Sequence, residues 1–300
     1  MANLTFMNNT IFDHGASNQL GQVLAMHGIR RPLLCTDKGL VNLGMVTDLV
    51  SHLGNDAALT VFDGTPENPT QMAVEEAVAA YQEAGCDGVV ALGGGSSMDL
   101  AKAVALAVTH EEDLLQYTAG LGGAGKIGTV APLIAIPTTS GTGSEVSSGA
   151  VIIMNNGEKL ILASRNLVPM TSICDPSLTL GLPPLLTAAT GMDAMTHCIE
   201  ALLSPQINPP AEAVACDGIE RGIREGNLVK AVKDGSDEDA RWHMMMAAAE
   251  GAMGFSKGLG SVHSMSHACG ADQALRLHHG TLNAVILPTI LDFNRDHVGD

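Results

Sequence analysis

The sequence predicts an N-terminal α/β domain built on a parallel sheet (residues 1–181) and an all-helical C-terminal domain (residues 182–300). Up to residue 181, short apolar runs alternate with helical patterns, which is typical of parallel strands joined by crossover helices. After the break at Pro183-Pro184, strand-like runs disappear. Aromatic residues make up only 3% of the chain, which favours close-packed layers of small and aliphatic side chains over a β-sandwich. A chain of 300 residues also exceeds what one core usually organises.

Two periodicities predict the individual elements. Apolar residues at helical spacing predict helices, and short apolar runs that end in polar turns predict strands. In the first domain these are a helix over 18–28, a strand in RRPLLC, a helix over 43–53, a strand in AALTVFDG, a helix over 72–83, a strand, turn and helix in CDGVVALGGGSSMDLAKAVAL, and the strand PLIAIP. In the second domain, helices are predicted over 185–203, 210–225, 240–253 and, last, 257–280.

Charge and cysteine content limit the functions open to the chain. The formal net charge is −17, and so acidic a surface repels phosphate backbones and anionic lipids, so we expect neither nucleic acid nor a membrane as a partner. The six cysteines lack CxxC or paired spacing, which is typical of reduced cytosolic thiols. The N-terminus has no basic segment before an apolar run, and no apolar stretch reaches the length of about 18 residues that spans a bilayer. The sequence therefore predicts a soluble cytoplasmic protein.

A glycine-rich turn, GGGSSMD at Gly93–Asp99, follows an apolar strand. Open α/β sheets bind ligands at the carboxyl ends of their strands, where glycines let the backbone approach an anion and a helix start offers free N–H groups. A tight turn without a ligand is an equally good interpretation. However, the next strand runs into a second loop rich in glycine and hydroxyl groups, TTSGTGSEVSS at 138–148. Two such loops on one sheet favour phosphate binding.

Asp37 lies just beyond the first predicted strand. A carboxylate at this place accepts a hydrogen bond from a ribose 2′-OH and repels a 2′-phosphate, which favours NAD over NADP. An aspartate in an exposed turn explains the residue equally well.

Histidines are concentrated near the C-terminus, where four of the eleven lie between Lys257 and Gly280. His263 and His267 are four residues apart, so on a helix both imidazoles project from one face, toward one metal ion or one substrate. Asp193 and His197 repeat this spacing upstream. An aspartate with three histidines offers a divalent ion four nitrogen or oxygen ligands and no thiolate, which suits Fe, Zn or Mn. A lone histidine is more often a hydrogen-bonded or surface residue, but two such pairs favour a metal site.

Over almost its whole length the chain resembles the iron-containing (group III) alcohol dehydrogenases. Six motifs occur in the family's order: GGGSSMD, IPTTSGTGSEV, DPSLTLGLPP, ATGMDAMTHCIEA, GFSKGLGSVHSMSHACG and HHGTLNAVILP. FDGTPENPT is also similar to the family's signature near the cofactor. The resemblance implies a dehydroquinate synthase-like fold with a dinucleotide-binding N-terminal domain. It also implies an NAD-linked alcohol dehydrogenase that carries Fe(II), or Zn or Mn in its place, with NADP less favoured. We expect a homodimer or a higher homo-oligomer.

The resemblance also assigns roles to residues. The metal ligands would be Asp193, His197, His263 and His279. His267 would lie near the substrate and the nicotinamide without binding the metal, as a catalytic proton relay. The residues around the dinucleotide would be Asp37, Asn68, Gly93, Gly94, Gly95, Ser96, Asp99, Thr138, Thr139, Thr142 and Lys159.

Two departures from the family's pattern bear on these assignments. Family members have Pro-His-Gly where this chain has His278-His279-Gly280, so His278 is the alternative fourth ligand. Members also continue beyond the equivalent of Asp300 through further helices, so we expect a helical domain that is incomplete at its C-terminal end.

The expected reaction is reversible hydride transfer between a primary or short-chain alcohol and nicotinamide, with an aldehyde or ketone as the product. A polyol dehydrogenase, a dehydroquinate synthase-like lyase, a maleylacetate reductase and a catalytically silent homologue share the architecture and stay open. A metal-dependent hydrolase would explain the histidines, but it would leave both glycine-rich loops without a role.

Overall fold

The computed structural model describes residues 8–53, 57–270 and 277–298. These residues form two compact units, one of residues 8–138 and 144–178 and the other of residues 139–143 and 179–298. The predicted fold class is confirmed, because the first unit is built on a six-stranded parallel sheet and the second contains helices.

The strands of the first unit are β1 (Asn9–Phe12), β2 (Pro32–Cys35), β3 (Thr60–Phe62), β4 (Gly88–Gly93), β5 (Leu133–Pro137), β6 (Gly149–Ile153), β7 (Lys159–Ala163) and β8 (Thr171–Cys174). Its helices are α1 (Leu20–Met26), α2 (Lys38–Asn42), α3 (Met45–Ser51), α4 (Gln71–Glu83) and α5 (Gly95–Ala107). Six strands form the sheet in the order β1-β8-β5-β4-β2-β3, with every neighbouring pair parallel. β6 and β7 pair with each other in an antiparallel hairpin.

The strand order reverses between β2 and β4. The chain leaves β2 for β3 on one side and then returns to form β4 on the other side, so that Leu34 of β2 pairs with Val90 of β4. Crossovers that leave in opposite directions open a crevice at the carboxyl ends of two such strands, and open α/β sheets bind their ligands there. Asp37 and the GGGSSMD turn follow these two strands.

Both faces of the sheet are covered, which explains why its central strands are apolar throughout. In β4, Val89 and Ala91 belong to one apolar cluster, with residues of α4 and α5, while Val90 and Leu92 belong to a second cluster, with residues of α1 and α3. This alternation is the two-residue period of a strand, with both faces buried. The sheet is therefore the middle of three layers.

The helical unit contains α6 (Pro184–Leu203), α7 (Pro209–Ile219), α8 (Asn227–Lys233), α9 (Glu238–Gly254), α10 (Ser261–Gly270) and α11 (His279–Asn294). Several helix starts have a clear local cause. Pro184 stands in the first turn of α6, where its missing N–H costs nothing, and the side chains of Asn208 and Asp237 cap α7 and α9. Small residues such as Ala194, Ala201 and Ala248 fill the core between these helices and allow them to pack closely.

Sequence patterns missed several elements. β1, β8, the β6–β7 hairpin, α2 and α8 were not predicted. The predicted helix over 210–225 ends as α7 at Ile219 and continues as a π-helical turn, Glu220–Arg224. The predicted helix over 257–280 consists of α10 and the start of α11, and residues 271–276 of that stretch lie outside the described residues.

All six cysteines are free thiols. Among the helices in the described ranges, none is long and apolar enough to cross a membrane.

Candidate metal centre and dinucleotide-binding loops

Helix α6 brings Asp193, His197 and Glu200 to one face, because residues four and seven positions apart lie on the same side of a helix. All three side chains are buried. His197 Nε2 lies 4.0 Å from Asp193 Oδ1. The other imidazole nitrogen, Nδ1, is buried without a hydrogen-bond partner among the described residues.

His263 enters this cluster from the first turn of α10. Its Nδ1 lies 2.6 Å from Glu200 Oε2, and its Nε2 lies 3.6 Å from Asp193 Oδ1. Glu200 also accepts hydrogen bonds from the backbone N–H groups of Val262 and His263, at 2.7 and 3.2 Å. One carboxylate thus caps the start of α10 and orients the His263 ring, so that Nε2 faces Asp193. A ligating histidine in metalloproteins is usually held in this way through its other nitrogen.

His279, the first residue of α11, completes the cluster, with its Nε2 3.4 Å from Asp193 Oδ1. The side chain of His279 is 29% exposed, while the neighbouring His278 is an exposed residue that stands before the helix. Gly280 allows α11 to lie close to α6, because a Cβ at its position would lie 2.1 Å from the Ala189 carbonyl oxygen of α6. Of the two adjacent histidines, His279 is therefore the one directed at Asp193.

The charges in the cluster depend on each other. Burial alone would raise the pKa of Asp193, but the neighbouring histidines outweigh it and hold that pKa well below its usual range. Burial lowers the pKa of His197 to about 3, so this imidazole is neutral and keeps an electron pair free. Burial also acts to lower the pKa of His263, yet Asp193 and Glu200 raise it to about 9. The carboxylates of Asp193 and Glu200 thus stabilise a positive charge on His263.

The cluster fits a divalent metal ion. The ligand atoms of Asp193, His197 and His263 lie within 4.8 Å of one another, and His279 Nε2 is close to the same Asp193 oxygen. Three imidazole nitrogens and one carboxylate oxygen are borderline to hard donors, which suit Fe, Zn or Mn. His197 has no hydrogen bond at Nδ1 among the described residues, and its ring is instead stacked on that of His263, with 4.4 Å between the centroids.

His267 lies one turn after His263 on α10 and is half-buried. Its ring centroid is 6.2 Å from that of His263 and 4.7 Å from that of His279. The residue that the resemblance assigns to proton relay is thus beside the candidate ligands.

In the sheet unit, the GGGSSMD turn joins β4 to α5. Gly93 has a φ of 148°, and a Cβ there would lie 2.4 Å from Ser97 Oγ, so only glycine fits. Gly94 is the N-cap of α5 and Gly95 its first residue. The free N–H groups of this helix start lie at the carboxyl end of β4, beside the reversal of strand order, where they favour an anion.

Two contacts connect this turn with other predicted cofactor residues. The Ser96 hydroxyl donates to the Glu67 carbonyl oxygen, which ties the start of α5 to the PENPT loop. In that loop, Asn68 Oδ1 accepts a hydrogen bond from Lys159 Nζ at 3.0 Å. These contacts link three residues that are far apart in the chain around one end of the sheet: Ser96, Asn68 and Lys159.

Asp99 and Lys102 form a buried polar centre behind the turn. The Asp99 carboxylate accepts from Ser144 Oγ at 2.8 Å and from the Val151 N–H at 2.9 Å. Lys102 Nζ donates to Ser144, Ser147 and the Gly149 carbonyl oxygen, at 2.7–3.1 Å. Burial lowers the pKa of Lys102 to about 8 and raises that of Asp99. These bonds fasten residues 144–151 to α5.

The remaining predicted cofactor residues are placed as follows. Asp37 follows β2 and its Oδ1 caps α2 by accepting from the Leu40 N–H at 3.0 Å. Thr138 is buried at the end of β5, and its N–H donates to the Gly93 carbonyl oxygen at 2.9 Å. Thr139 and Thr142 belong to the helical unit.

Four side chains of these two regions were not predicted: Glu200, Asn283, Lys102 and Glu145. The spacing in the sequence could have pointed to three of them. Glu200 is seven residues after Asp193, Asn283 is four after His279, and Lys102 is three after Asp99, so each shares a helix face with a predicted residue. Glu145 follows a loop and offers no such pattern; burial raises its pKa to about 7.

Comparisons with known proteins agree with the fold. The profile of iron-containing alcohol dehydrogenases matches residues 8–176, and the profile of the C-terminal part of that family matches residues 187–300. The chain belongs to the iron-containing alcohol dehydrogenase family. It is an oxidoreductase of the alcohol dehydrogenase type.

Individual relatives cover nearly the whole chain. A 4-hydroxybutyrate dehydrogenase of Cupriavidus necator is 52% identical over 300 residues, which are 99% of this chain and 78% of the relative. A 1,3-propanediol dehydrogenase of Klebsiella pneumoniae is 38% identical over 293 residues, 96% of this chain and 74% of the relative. Among solved structures, a 1,3-propanediol oxidoreductase superposes with a TM-score of 0.90 at 35% identity, over 98% of this chain and 76% of that one. The sulfoacetaldehyde reductase of Bifidobacterium kashiwanohense, solved with NAD⁺, has a TM-score of 0.90 at 28% identity, over 98% and 77%.

Proposed function

We propose that the protein is an NAD-linked, metal-dependent dehydrogenase of a short primary alcohol. The observation that carries the proposal is the convergence of Asp193, His197, His263 and His279 from three helices on one buried point. A buried carboxylate among three imidazoles is costly unless a cation or protons compensate it. A metal site is the simplest use of that arrangement.

These four side chains would hold the ion, and Glu200 would keep His263 in the ligating orientation through the 2.6 Å contact with Nδ1. A divalent ion held there supplies Lewis acidity, which lowers the pKa of an alcohol hydroxyl toward neutrality. Fe(II) is our first choice because of the family, and Zn(II) or Mn(II) suits the same donors.

We infer NAD as the second cofactor. The glycine-rich start of α5 offers N–H groups to a diphosphate, and Asp37 lies at the end of the neighbouring strand, β2, where its carboxylate would repel a 2′-phosphate. The NAD⁺ complex of the sulfoacetaldehyde reductase, a relative of the same fold, supports this choice.

In the proposed reaction the alcohol loses a hydride, with its electron pair, from the carbinol carbon to nicotinamide C4, and it loses its hydroxyl proton to solvent. The products are the aldehyde, NADH and one proton. His267 is half-buried beside His279, and an imidazole that does not bind the metal can accept a proton and pass it to water. The histidines that would bind the ion could not do this, because ligation would engage their free electron pairs.

For the substrate we propose a short ω-hydroxy acid, with 4-hydroxybutyrate as the first candidate, because the dehydrogenase of this compound in Cupriavidus necator is 52% identical to this chain. A short diol is the second candidate, supported by the 38% identical 1,3-propanediol dehydrogenase. We further propose that the enzyme works in the cytoplasm as a homo-oligomer; its six free thiols agree with a reducing compartment.

Two adjacent histidines provide a matched test of the metal centre. In His279→Ala the protein should lose at least about tenfold in metal affinity, because one proposed ligand is gone. In His278→Ala, which removes the same ring from the exposed neighbour, metal content should equal that of the wild type. Metal content is measured by elemental analysis after reloading the metal-free protein anaerobically with Fe(II), Zn(II) or Mn(II).

The same reloaded samples test the reaction. NADH absorbance is followed with 4-hydroxybutyrate, 1,3-propanediol and simple primary alcohols. Metal-dependent NADH formation by the wild type and by His278→Ala, but not by His279→Ala, is the expected result. Equal metal content in both variants would refute the ligand assignment, and NAD binding without any NADH would indicate a silent homologue.

A further inference from the structure

Ser266 lies on α10, three residues after His263, and its side chain is fully buried. A buried hydroxyl is unfavourable unless it finds hydrogen-bond partners, since folding removes it from water. Alanine suits the interior of a helix better than serine, because it has the higher helix propensity and no polar atom to satisfy. The hydroxyl at this position therefore needs a reason in the contacts it makes.

The Ser266 hydroxyl connects two candidate metal ligands that come from different helices. Its Oγ donates to the backbone carbonyl oxygen of His263, one turn earlier on α10, at 3.2 Å. The same Oγ lies 3.3 Å from Nδ1 of His279, the first residue of α11. One buried oxygen thus contacts both histidines.

The single hydrogen of the hydroxyl determines the direction of the second bond. A hydroxyl has one hydrogen and two lone pairs, and its hydrogen is engaged with the His263 carbonyl oxygen. The lone pairs therefore face His279, whose Nδ1 carries a proton and donates it. A neutral imidazole protonated at Nδ1 has its free electron pair at Nε2, which is the nitrogen that lies 3.4 Å from Asp193 Oδ1.

His263 shows the same arrangement with a different partner. Glu200 Oε2 lies 2.6 Å from its Nδ1, and its Nε2 faces Asp193. Ligating histidines are generally fixed in this way, through the ring nitrogen that points away from the ion. For His279 a hydroxyl stands where His263 has a carboxylate, so the ring is held without a further negative charge in the cluster.

We propose, on the basis of the proposed metal site, that Ser266 is a positioning residue of that site and acts through His279. By accepting a hydrogen bond from Nδ1–H, it holds the imidazole in the tautomer and the orientation that present the Nε2 electron pair to the ion. Ser266 contributes to metal affinity without touching the ion, and it contributes nothing once the His279 ring is removed.

The test is a double-mutant cycle of Zn(II) affinity, measured on the full chain by competition with a chelator. Zn(II) is chosen because it has no redox chemistry. Ser266→Ala should bind Zn(II) about tenfold more weakly than the wild type, because the hydrogen bond that orients a ligand is lost. The variant with both Ser266→Ala and His279→Ala should bind no more weakly than His279→Ala alone, because two residues that act through one interaction do not have additive effects.

Ser264→Ala is the matched control. Ser264 lies on the same helix, and its hydroxyl also donates to a backbone carbonyl oxygen of the preceding turn, that of Gly260 at 3.0 Å, but the residue is exposed. Ser264→Ala should bind Zn(II) as the wild type does. A loss equal to that of Ser266→Ala would mean that both serines matter only for the helix, and it would overturn the inference.

Unchanged Zn(II) affinity in Ser266→Ala would also overturn the inference. The same holds if the loss in the double variant is the product of the two single losses, since Ser266 would then act on the packing of α10 or on His263 instead of on His279. A wild type that binds no Zn(II) would contradict the proposed metal centre, and the inference would fail with it.

The tautomer of His279 is a second measurement, which needs no metal. The nitrogen NMR shifts of isotope-labelled histidine are recorded on the metal-free protein, and the His279 signals are those absent from His279→Ala. We expect the neutral ring to carry its proton on Nδ1 in the wild type and in Ser264→Ala, and to be a mixture of both tautomers in Ser266→Ala. A proton on Nε2 in the wild type would overturn the inference even if that protein binds Zn(II).

Discussion

Single side chains in this protein often serve two purposes at once. Asp37 is the example in the sheet unit, where its Oδ1 caps α2 and its charge is proposed to exclude a 2′-phosphate.

Sequence spacing predicted the residues whose chemistry is unusual, such as the Asp193–His197 pair. It did not predict Glu200 or Asn283, although each shares a helix face with a predicted ligand, because a glutamate or asparagine at such a place is ordinary until another helix packs against it.

Asp37→Ser separates the two purposes of Asp37. Serine caps helices about as well as aspartate but carries no charge, so we expect stability to stay close to that of the wild type while NADP becomes a usable cofactor. The measurement is kcat/KM for NAD and NADP, together with the urea midpoint. Asp37→Ala is the companion variant: it should also accept NADP but lose about 1 kcal/mol of stability with the cap. Unchanged discrimination in both variants would exclude Asp37 as the selecting residue.

At the scale of elements, the candidate metal centre depends on how closely α11 lies to α6. Gly280 is the point of approach, since any Cβ there would overlap the Ala189 carbonyl oxygen. The glycine is thus a packing requirement of the helix pair, and His279 reaches Asp193 because of it.

Gly280→Ala should destabilise the protein by about 1–3 kcal/mol, the usual cost of an overpacked contact, although alanine is intrinsically the better helix former by about 1 kcal/mol. Metal affinity should fall as well, because His279 moves with α11. Urea unfolding and metal titration measure the two effects. The control is Gly125→Ala, whose Cβ meets nothing within 4 Å and should change stability by less than about 0.5 kcal/mol. A Gly280→Ala protein more stable than the wild type would contradict this account.

Helices and strands could be predicted from the sequence where the apolar residues form one clear pattern. The buried strands β2, β4 and β5 and the helices α4, α6 and α9 were found because their apolar patterns are long or uninterrupted. The strand β1, NTIF, is half polar and so lacks the uninterrupted apolar run of β2, and it lies at the sheet edge, where it pairs with β8. The β6–β7 hairpin was detectable, since Asn156-Gly157 between two apolar runs is a hairpin signal.

At the scale of the whole molecule, acidic residues outnumber basic ones, 32 to 15, so some carboxyl groups share one cation. Glu250, buried on α9, shares Arg221 with Asp217. Burial first, and then the Asp217 carboxylate, raise the pKa of Glu250 to about 8, and Arg221 offsets only part of this. Glu250 is therefore protonated in the folded protein at neutral pH.

Stability should consequently fall as the pH rises across this window. Between the ordinary value of 4.5 and about 8 the folded protein holds a proton that the unfolded chain has released, so the free energy of unfolding decreases with pH there. In Glu250→Gln this contribution is absent, and its stability relative to the wild type should increase between about pH 5 and about pH 8.5. Urea midpoints at several pH values measure the difference. Glu238→Gln, at an exposed glutamate of the same helix, is the control and should follow the wild type; parallel curves for all three proteins would refute the assignment.

Residues 139–143 belong to the helical unit, although the chain on both sides of them belongs to the sheet unit. This loop fits the helices closely: Gly143 has a φ of 59°, and a Cβ there would lie 2.2 Å from the Ala252 Cβ. The described part of the helical unit is therefore encoded by two separate stretches of the gene. A chimaera of this chain and a relative, joined once near residue 179, would unite a loop from one parent with helices from the other. Recombination preserves the unit only when both stretches are inherited together.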